Sequence, residues 1–437
     1  MEYRNNKKIA IFGSTPVEEL FIRRLGNEGI KVDSFQSSQN PMIKKFANEI
    51  VDLTQISDDD LVKRLKEYEI IHLSTDESVV SKSDLLIKNQ IPYIGGTRNQ
   101  FRFEEDKSKI FETITENDIL PKTEIVSSLD SIVHLKQNTP FVLKFVGDNG
   151  AFSNGNISSR VLFVNDLESK EAISFMKNSI SKSNRVLVQE QIFGEEFSVN
   201  YFVDNNMNFF YMGSNVCYKR LKDGDEGPLC GGTGSYSIGG SAPFVNKEDL
   251  ENILNTTKEF VAKLNLESEK NYTGALNLDL IKDISSKKVY LLEINCRRPG
   301  IHTSASLLGC LKTSLYEIYK HTNRGTLNSL ESEFNELASI AVSAYPEYYP
   351  FTEPENLEEI EFNKSSSNVQ TYFGWVEIKK ETDEMMHLML HSSNSVIFQY
   401  SGKNLDDARK IIYEEIRKKV PTLKYRKDIG DLKLNNY

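Results

Sequence analysis

The stretch Leu291-Leu-Glu-Ile-Asn-Cys-Arg297 decides how this chain is read. From Leu292 onward apolar and polar residues alternate, the pattern of a strand with one packed and one polar face. Side chains at i, i+2 and i+4 share a face, so Glu293, Asn295 and Arg297 are predicted side by side. A carboxylate and an amide carbonyl are hard oxygen donors suited to Mg2+, which keeps its other positions for phosphate and water. A guanidinium beside them matches phosphoryl oxygens. Nearby, Gly274-Ala-Leu-Asn-Leu-Asp279 reads as a second strand with a further carboxylate, Asp279. By itself the motif also suits a strand that merely has a polar outer face, so the partner groups must be sought elsewhere.

Upstream, Pro140-Phe-Val-Leu-Lys144 is a buried-strand pattern ending in one Lys, which alone would snorkel to solvent. It is followed by Asp148-Asn-Gly-Ala-Phe-Ser-Asn-Gly155, a small-residue loop whose N–H groups could fold over phosphates. Val186 to Ser198 reads as strand, apolar linker, Gly turn and acidic pair. Such a linker can sandwich an adenine, while Glu196 accepts from ribose hydroxyls. The run Tyr218 to Gly240 carries Lys219, Arg220, Asp225 and a dense set of glycines, Gly231 and Gly232 among them. Glycine at that density is unexpected inside strands or helices, so a loop over a site is predicted.

The chain has 437 residues and a formal net charge of −10, from 53 Lys and Arg against 63 Asp and Glu. At ~150 residues per domain, that length predicts about three domains. A 39% hydrophobic and 27% charged composition is globular rather than disordered. Broad nucleic-acid affinity needs a cationic face, so the acidity argues against a nucleic-acid partner. Cys217, Cys230, Cys296 and Cys310 form no CxxC and predict reduced thiols in a cytoplasmic protein. No apolar run suits a signal peptide or a membrane span, so no membrane partner is expected.

The first hundred residues alternate strands (Ile9–Phe12, Gly29–Phe35, Ile70–Leu73, Ile91–Ile94) with helices (Val17–Leu25, Leu61–Tyr68). That rhythm predicts a parallel sheet, Rossmann-like but without GxGxxG. The pattern shifts over residues 106–338, where a helix from Lys107 to Asn117 is followed mainly by strands. A small lid-like part over 106–190 and a larger one over 191–338 are expected there. Residues 339–437 read as a small α+β domain ending in a helix, Leu405 to Lys419. The fold class is therefore α/β followed by α+β.

Taken in order, these segments resemble the ATP-grasp superfamily, and within it the phosphoribosylamine–glycine ligases, also called glycinamide ribonucleotide synthetases. Tyr218 to Ser237 is similar to that family's signature loop, Glu293-Ile-Asn-Cys-Arg297 to its metal-binding strand, and Val188 to Glu196 to its adenine hinge. Ile119-Leu-Pro121, Pro140 to Lys144, Val342-Ser-Ala-Tyr-Pro346 and Tyr425-Arg-Lys-Asp-Ile-Gly430 fall in the same order, so the resemblance spans nearly the whole chain. It implies an ATP-grasp fold: a Rossmann-like domain over 1–105, nucleotide-clamping domains over 106–338 and a C-terminal domain over 339–437.

The resemblance also implies roles. ATP and Mg2+, with Mn2+ as an alternative, would be the cofactors. Lys107 and Lys144 would contact the phosphates, Gln189, Glu190, Gln191 and Ile192 the adenine, and Glu196 the ribose. Glu293 and Asn295 would bind the metal, with Asp279 as a further carboxylate. Arg297 and Lys144 would steady the transferred phosphate. Lys219, Arg220, Asp225, Gly231, Gly232, Arg298 and His302 would face the carboxylate substrate and its acyl phosphate. His302 reads equally well as a satisfied polar residue at a helix start. Two departures predict a changed substrate pocket. Gly13-Ser-Thr-Pro-Val-Glu-Glu-Leu20 replaces the family's GxGGRExA, and Arg297-Arg-Pro-Gly-Ile-His-Thr303 stands where the family reads Arg-Phe-Gly-Asp-Pro-Glu.

The leading expectation is an ADP-forming carboxylate–amine ligase working through an acyl phosphate, with an amino acid or related carboxylate and an amine as small-molecule substrates in a specialised biosynthetic pathway. The alternative is an authentic phosphoribosylamine–glycine ligase, and a third reading is a non-catalytic nucleotide-binding regulator. A monomer or homodimer is expected. No Ser-His-Asp or reactive-Cys pattern occurs, and acyl-phosphate chemistry needs no nucleophilic side chain.

Overall fold

The computed structural model describes residues 8–74, 80–114, 119–129, 140–146, 161–350, 355–374, 376–391 and 396–432. The small-residue loop Asp148 to Gly155 lies outside them. Four short parallel strands open the chain: β1 Lys8–Phe12, β2 Lys31–Gln36, β3 Glu49–Asp52 and β4 Ile70–Leu73, in the order β3-β2-β1-β4. Ile9 to Phe12 are fully buried, which is why β1 is apolar on both faces. The helix Pro16–Asn27 starts where Thr15 and Glu18 cap each other, with Pro16 placed where no N–H is needed. The expected strand Ile91–Ile94 reduces to a single parallel bridge, His72 to Ile94. β3 is not predicted from the sequence, because so short a strand carries little apolar alternation.

A second, antiparallel sheet combines β5 Thr123–Val126, β6 Phe141–Phe145, β7 Val161–Val164 and β8 Val186–Glu190 in the order β5-β8-β6-β7. The helix Lys170–Ser183 packs on it through Ala172 and Met176. The expected helix from Lys107 begins at Ser108 and closes at Thr113, with Lys107 as its N-terminal flank.

The main sheet has eight strands: β9 Gly194–Val203, β10 Phe209–Lys222, β11 Glu226–Ile238, β12 Gly274–Asp283, β13 Val289–Asn295, β14 Ala338–Ala344, β16 Gln370–Phe373 and β19 Val396–Gly402. Their order is β13-β12-β9-β10-β11-β14-β19-β16. The glycine-rich run is thus not a loop: it forms most of the long hairpin β10–β11. Glycine serves there because Gly224, Gly227 and Gly232 take positive φ at the tip and bulges. At Gly234 a Cβ would overlap Ile429 Cδ1 and lie 2.7 Å from the Ala341 carbonyl oxygen. β14 pairs with β11 from Gly234–Val342 to Ile238–Ala338, so the sheet runs continuously past residue 338.

Alternation along β14 and β19 buries both faces of the sheet. Ile340, Val342 and Phe398 join the core that holds the helix Leu405–Lys419, whereas Ala341 and Ile397 join the core that holds the helix Ile301–Cys310. A small sheet of β15 Glu359–Asn363, β18 Met385–Leu390 and β17 Val376–Glu381 completes the molecule. Among the described residues no helix is long and apolar enough to cross a membrane.

Candidate active site

The pairing of β12 with β13 builds the centre of the site. Asp279 lies opposite Glu293, and Asn277 opposite Asn295. Directly opposed residues of paired strands share a face, so two carboxylates and two amides gather at one edge of the main sheet. Pairing stops at Asn295, short of Arg297, because the chain bends through Arg298-Pro299-Gly300 into the helix Ile301–Cys310. The Arg297 guanidinium nevertheless returns to the site. Its Nη2 donates to Asn295 Oδ1 at 3.3 Å and its Nε to Glu104 Oε1 at 2.6 Å.

Three lysines from separate elements converge on this edge. Lys107 Nζ stands 3.3 Å from Glu293 Oε1, and Lys219 Nζ, from β10, 2.7 Å from Asp279 Oδ2. Lys144, from β6, donates to the Leu292 carbonyl oxygen at 3.4 Å. Ser198 on β9 donates to Asp279 Oδ1 at 2.8 Å. Burial alone would raise the Glu293 pKa, but Lys107, Lys219, Lys144 and Arg297 outweigh it and hold the carboxyl at about 2. Burial, reinforced by Lys107, pulls Lys144 down to about 8 against the opposing charges of Glu293 and Glu196. Glu196 is raised by burial, with Lys219 acting against the rise. Lys219 ends above the ordinary lysine value despite burial, because Asp279 and Glu196 face it.

The residues expected at the adenine lie at the end of β8 and in the short segment before β9. Gln189 is buried and donates to Thr123 Oγ1 at 2.8 Å, while Glu190 Oε1 accepts from the Lys122 N–H at 2.8 Å. The Gln191 N–H donates to the Pro140 carbonyl, and Ile192 leads on to Phe193, which is 56% exposed. On the hairpin, Lys219 is the residue that reaches Asp279. Arg220 lies over the Phe163 ring at 4.8 Å and donates to the Gly227 carbonyl, and Asp225 accepts from Arg426 at 2.8 Å. Gly231 lies on β11, the second strand of the hairpin. Gly232 runs so close to His302 that a Cβ would come within 3.3 Å of Nδ1. His302 is buried, bonded through Nε2 to Ser343 Oγ, and pushed down to about 4 by burial.

A cavity of about 550 Å³ opens beside Arg297, between the carboxyl ends of the N-terminal strands and the bend after β13. Thr15, Glu18, Ser74, Arg297 and Arg298 supply its polar lining. Arg298 forms a buried ion pair with Glu18 and lies over the Phe21 ring.

Comparison with known proteins points to one fold and one kind of ligase. Residues 129–303 match the family described as phosphoribosylglycinamide synthetase, ATP-grasp (A) domain. The chain is 28% identical over 357 residues to a phosphoribosylamine–glycine ligase of Thermococcus gammatolerans, covering 80% of this chain and 77% of that one. It is 25% identical over 426 residues to one of Methanococcus maripaludis, covering 93% and 92%. Among solved structures, phosphoribosylamine–glycine ligase of Thermotoga maritima superposes with a TM-score of 0.73 at 21% identity, covering 97% of this chain and all of that one. The chain has the ATP-grasp fold and is an ATP-dependent carbon–nitrogen ligase.

ATP-grasp ligases use ATP and Mg2+, and this ligase has a donor set that suits both. Glu293 stays ionised and Asn295 offers an amide oxygen on the same face. Among the described residues no group of three His, Cys, Asp or Glu is arranged to hold a metal by itself. Mg2+ does not require one, since it binds through one or two carboxylates plus phosphates. Two residues of the candidate site are not marked by the sequence. Glu104 is buried against Arg297, its Oε2 without a hydrogen bond among the described residues, and Arg426, buried from the far end of the chain, braces the hairpin through Asp225 and Asp428. Helical spacing marks Glu104 only as a polar position. Arg426 lies in the segment Tyr425 to Gly430, which carries a signal only through its place in the order of segments.

Proposed function

We propose that this ligase is a phosphoribosylamine–glycine ligase, joining the glycine carboxylate to the amine of a phosphorylated sugar with conversion of ATP to ADP and phosphate. The observation that carries this reading is similarity over more than nine-tenths of both chains to curated ligases of that name. It is supported by the cation–carboxylate cluster at Glu293 and the adjoining cavity. A carboxylate oxygen is a poor leaving group. Transfer of the γ-phosphoryl group to glycine makes an acyl phosphate, the amine attacks its carbonyl carbon, and the C–O bond to phosphate breaks.

In this reading Lys107 and Lys144 bind the nucleotide phosphates, and Arg297, held by Glu104, stabilises charge on the transferred group. Bound Mg2+ would neutralise phosphate charge beside Glu293 and Asn295. Gln189 to Ile192 line the adenine, Glu196 meets the ribose, and the hairpin residues with Arg298 face the substrates and keep water out.

A second reading, a ligase diverged toward another carboxylate or amine, is favoured by one observation. Glu18 and Arg298 neutralise each other at the cavity wall, where a phosphorylated substrate would call on a free cation. Expression in a purine auxotroph lacking this ligase separates the two. Growth without added purine supports phosphoribosylamine–glycine ligation. No growth, together with ADP release from another carboxylate–amine pair, would overturn it.

A further inference from the structure

A chain of four asparagines crosses the main sheet from the Glu293 edge. Asn295 Nδ2 donates to Asn277 Oδ1 at 3.1 Å, and Asn277 Nδ2 to Asn200 Oδ1 at 3.1 Å. Asn200 Nδ2 donates to Asn215 Oδ1 at 3.4 Å, and Asn215 Nδ2 to Ser235 Oγ at 2.9 Å and Thr303 Oγ1 at 3.2 Å. All four are buried, each on a different strand: β13, β12, β9 and β10. Every amide points the same way. Arg297 imposes this sense, because a guanidinium only donates and therefore faces an oxygen, Asn295 Oδ1, at 3.3 Å. Once that oxygen is turned outward, Asn295 Nδ2 needs an acceptor, and each later amide is fixed in turn. The hydroxyls of Ser235 and Thr303, which can accept, close the far end. Turning any one amide over would set oxygen against oxygen or N–H against N–H inside a buried sheet, at a cost of about 1–3 kcal/mol per unpaired group.

The geometry points to Asn277, Asn200 and Asn215 as positioning residues that hold the Asn295 carbonyl oxygen toward the metal–phosphate site. The proposal rests on the ATP-grasp assignment of Glu293 and Asn295 to the metal and is independent of which substrates are joined. Aligned amide dipoles add along a hydrogen-bonded chain, so the ladder also makes that oxygen a better donor to a cation. Arg297 and Asn295 therefore present a fixed pair of opposite polarity, one to phosphate and one to metal.

The test measures Mn2+ binding by electron paramagnetic resonance on the full-length protein saturated with ADP, with neither acid nor amine present. Asn277→Leu and Asn200→Leu remove rungs at nearly constant volume and should raise the Mn2+ dissociation constant about tenfold, as expected for groups that orient a metal ligand. ADP affinity without metal should stay within about twofold of the unmodified protein's. Asn200→Asp, protonated in that interior, both accepts and donates and should restore Mn2+ affinity, which a merely space-filling role would not require. If a leucine variant fails to fold by circular dichroism, Ser235→Ala combined with Thr303→Ala removes the terminal acceptors instead and should weaken Mn2+ about threefold. Unchanged Mn2+ affinity in the folded variants would overturn the proposal, as would an unmodified protein that binds no Mn2+ with ADP. Normal Mn2+–ADP binding without glycine ligation would instead overturn the proposed function and leave the ladder standing.

Discussion

Nucleotide affinity should depend on pH through Lys144. Its ammonium is buried among Lys107 and Lys219, so its pKa falls from 10.5 to about 8, burial being the largest cause. At ~1.4 kcal/mol per pH unit, that drop corresponds to about 3 kcal/mol of lost preference for the charged form. Bound polyphosphate supplies the missing counter-charge and should return the pKa toward its ordinary value. Binding then requires a protonated Lys144, so the dissociation constant of a non-hydrolysable ATP analogue should be flat below pH 7 and rise about tenfold by pH 9. Calorimetry in buffers of different ionisation enthalpy should show about one proton taken up per nucleotide near pH 9.

Stability runs in the opposite sense. A lysine whose folded pKa lies below its unfolded one leaves the unfolded chain holding more protons between pH 8 and 10.5, so this group adds stability as pH rises through that window. Lys270, pulled down to about 7 by burial, makes a similar contribution from lower pH without touching the nucleotide site. Lys144→Arg separates the two lysines, because a guanidinium stays charged throughout this range. Its affinity profile should be level from pH 7 to 9. If the arginine variant still lost affinity through pH 8, the titrating group would lie elsewhere and the role given to Lys144 would fail.

Glu293→Gln should cut ADP formation at least about 100-fold with an unchanged circular dichroism spectrum, and should lower Lys144 further by removing a carboxylate that supports its charge. Turnover within tenfold of normal would rule out Glu293 as a phosphate-site ligand. Arg298→Leu leaves the buried Glu18 carboxylate without its counter-charge and should cost about 3–5 kcal/mol of stability by urea titration, whereas Glu18→Gln, which keeps a hydrogen bond, should cost less. Gly234→Ala should destabilise by about 1–3 kcal/mol, since its Cβ would press on Ile429 and Ala341. Gly26→Ala, in a helix where the added Cβ would meet no other described side chain or loop within 4 Å, should stabilise by up to about 1 kcal/mol; equal effects would refute the packing account.

Much of this molecule is legible from local pattern. The strands at Ile9, Ile70, Phe141 and Val289 are continuous apolar or alternating runs, and the helix Leu405–Lys419 carries a full amphipathic period after a clear N-cap at Asn404. Glu293 and Asn295 share a face because strand periodicity demands it, and spacing alone shows that much. Other features depend on distant chain. The glycine-rich run reads as too flexible for a strand, but Ile429 and Arg426, some two hundred residues later, hold it as a hairpin. Lys107, Lys144 and Lys219 each look unremarkable in place, and only the stacking of separate sheets gathers them around one carboxylate.

The asparagine ladder is the clearest case of this division. Asn277, Asn200 and Asn215 each read as a stray polar residue in their own strands, since the rungs join residues far apart in sequence. Local composition and periodicity report the element a residue belongs to, because those depend on neighbours along the backbone. Ionisation, amide orientation and ligand geometry depend on which strands lie side by side. Register across the sheet, together with the charges it brings within a few ångströms, turned scattered polar positions into one site.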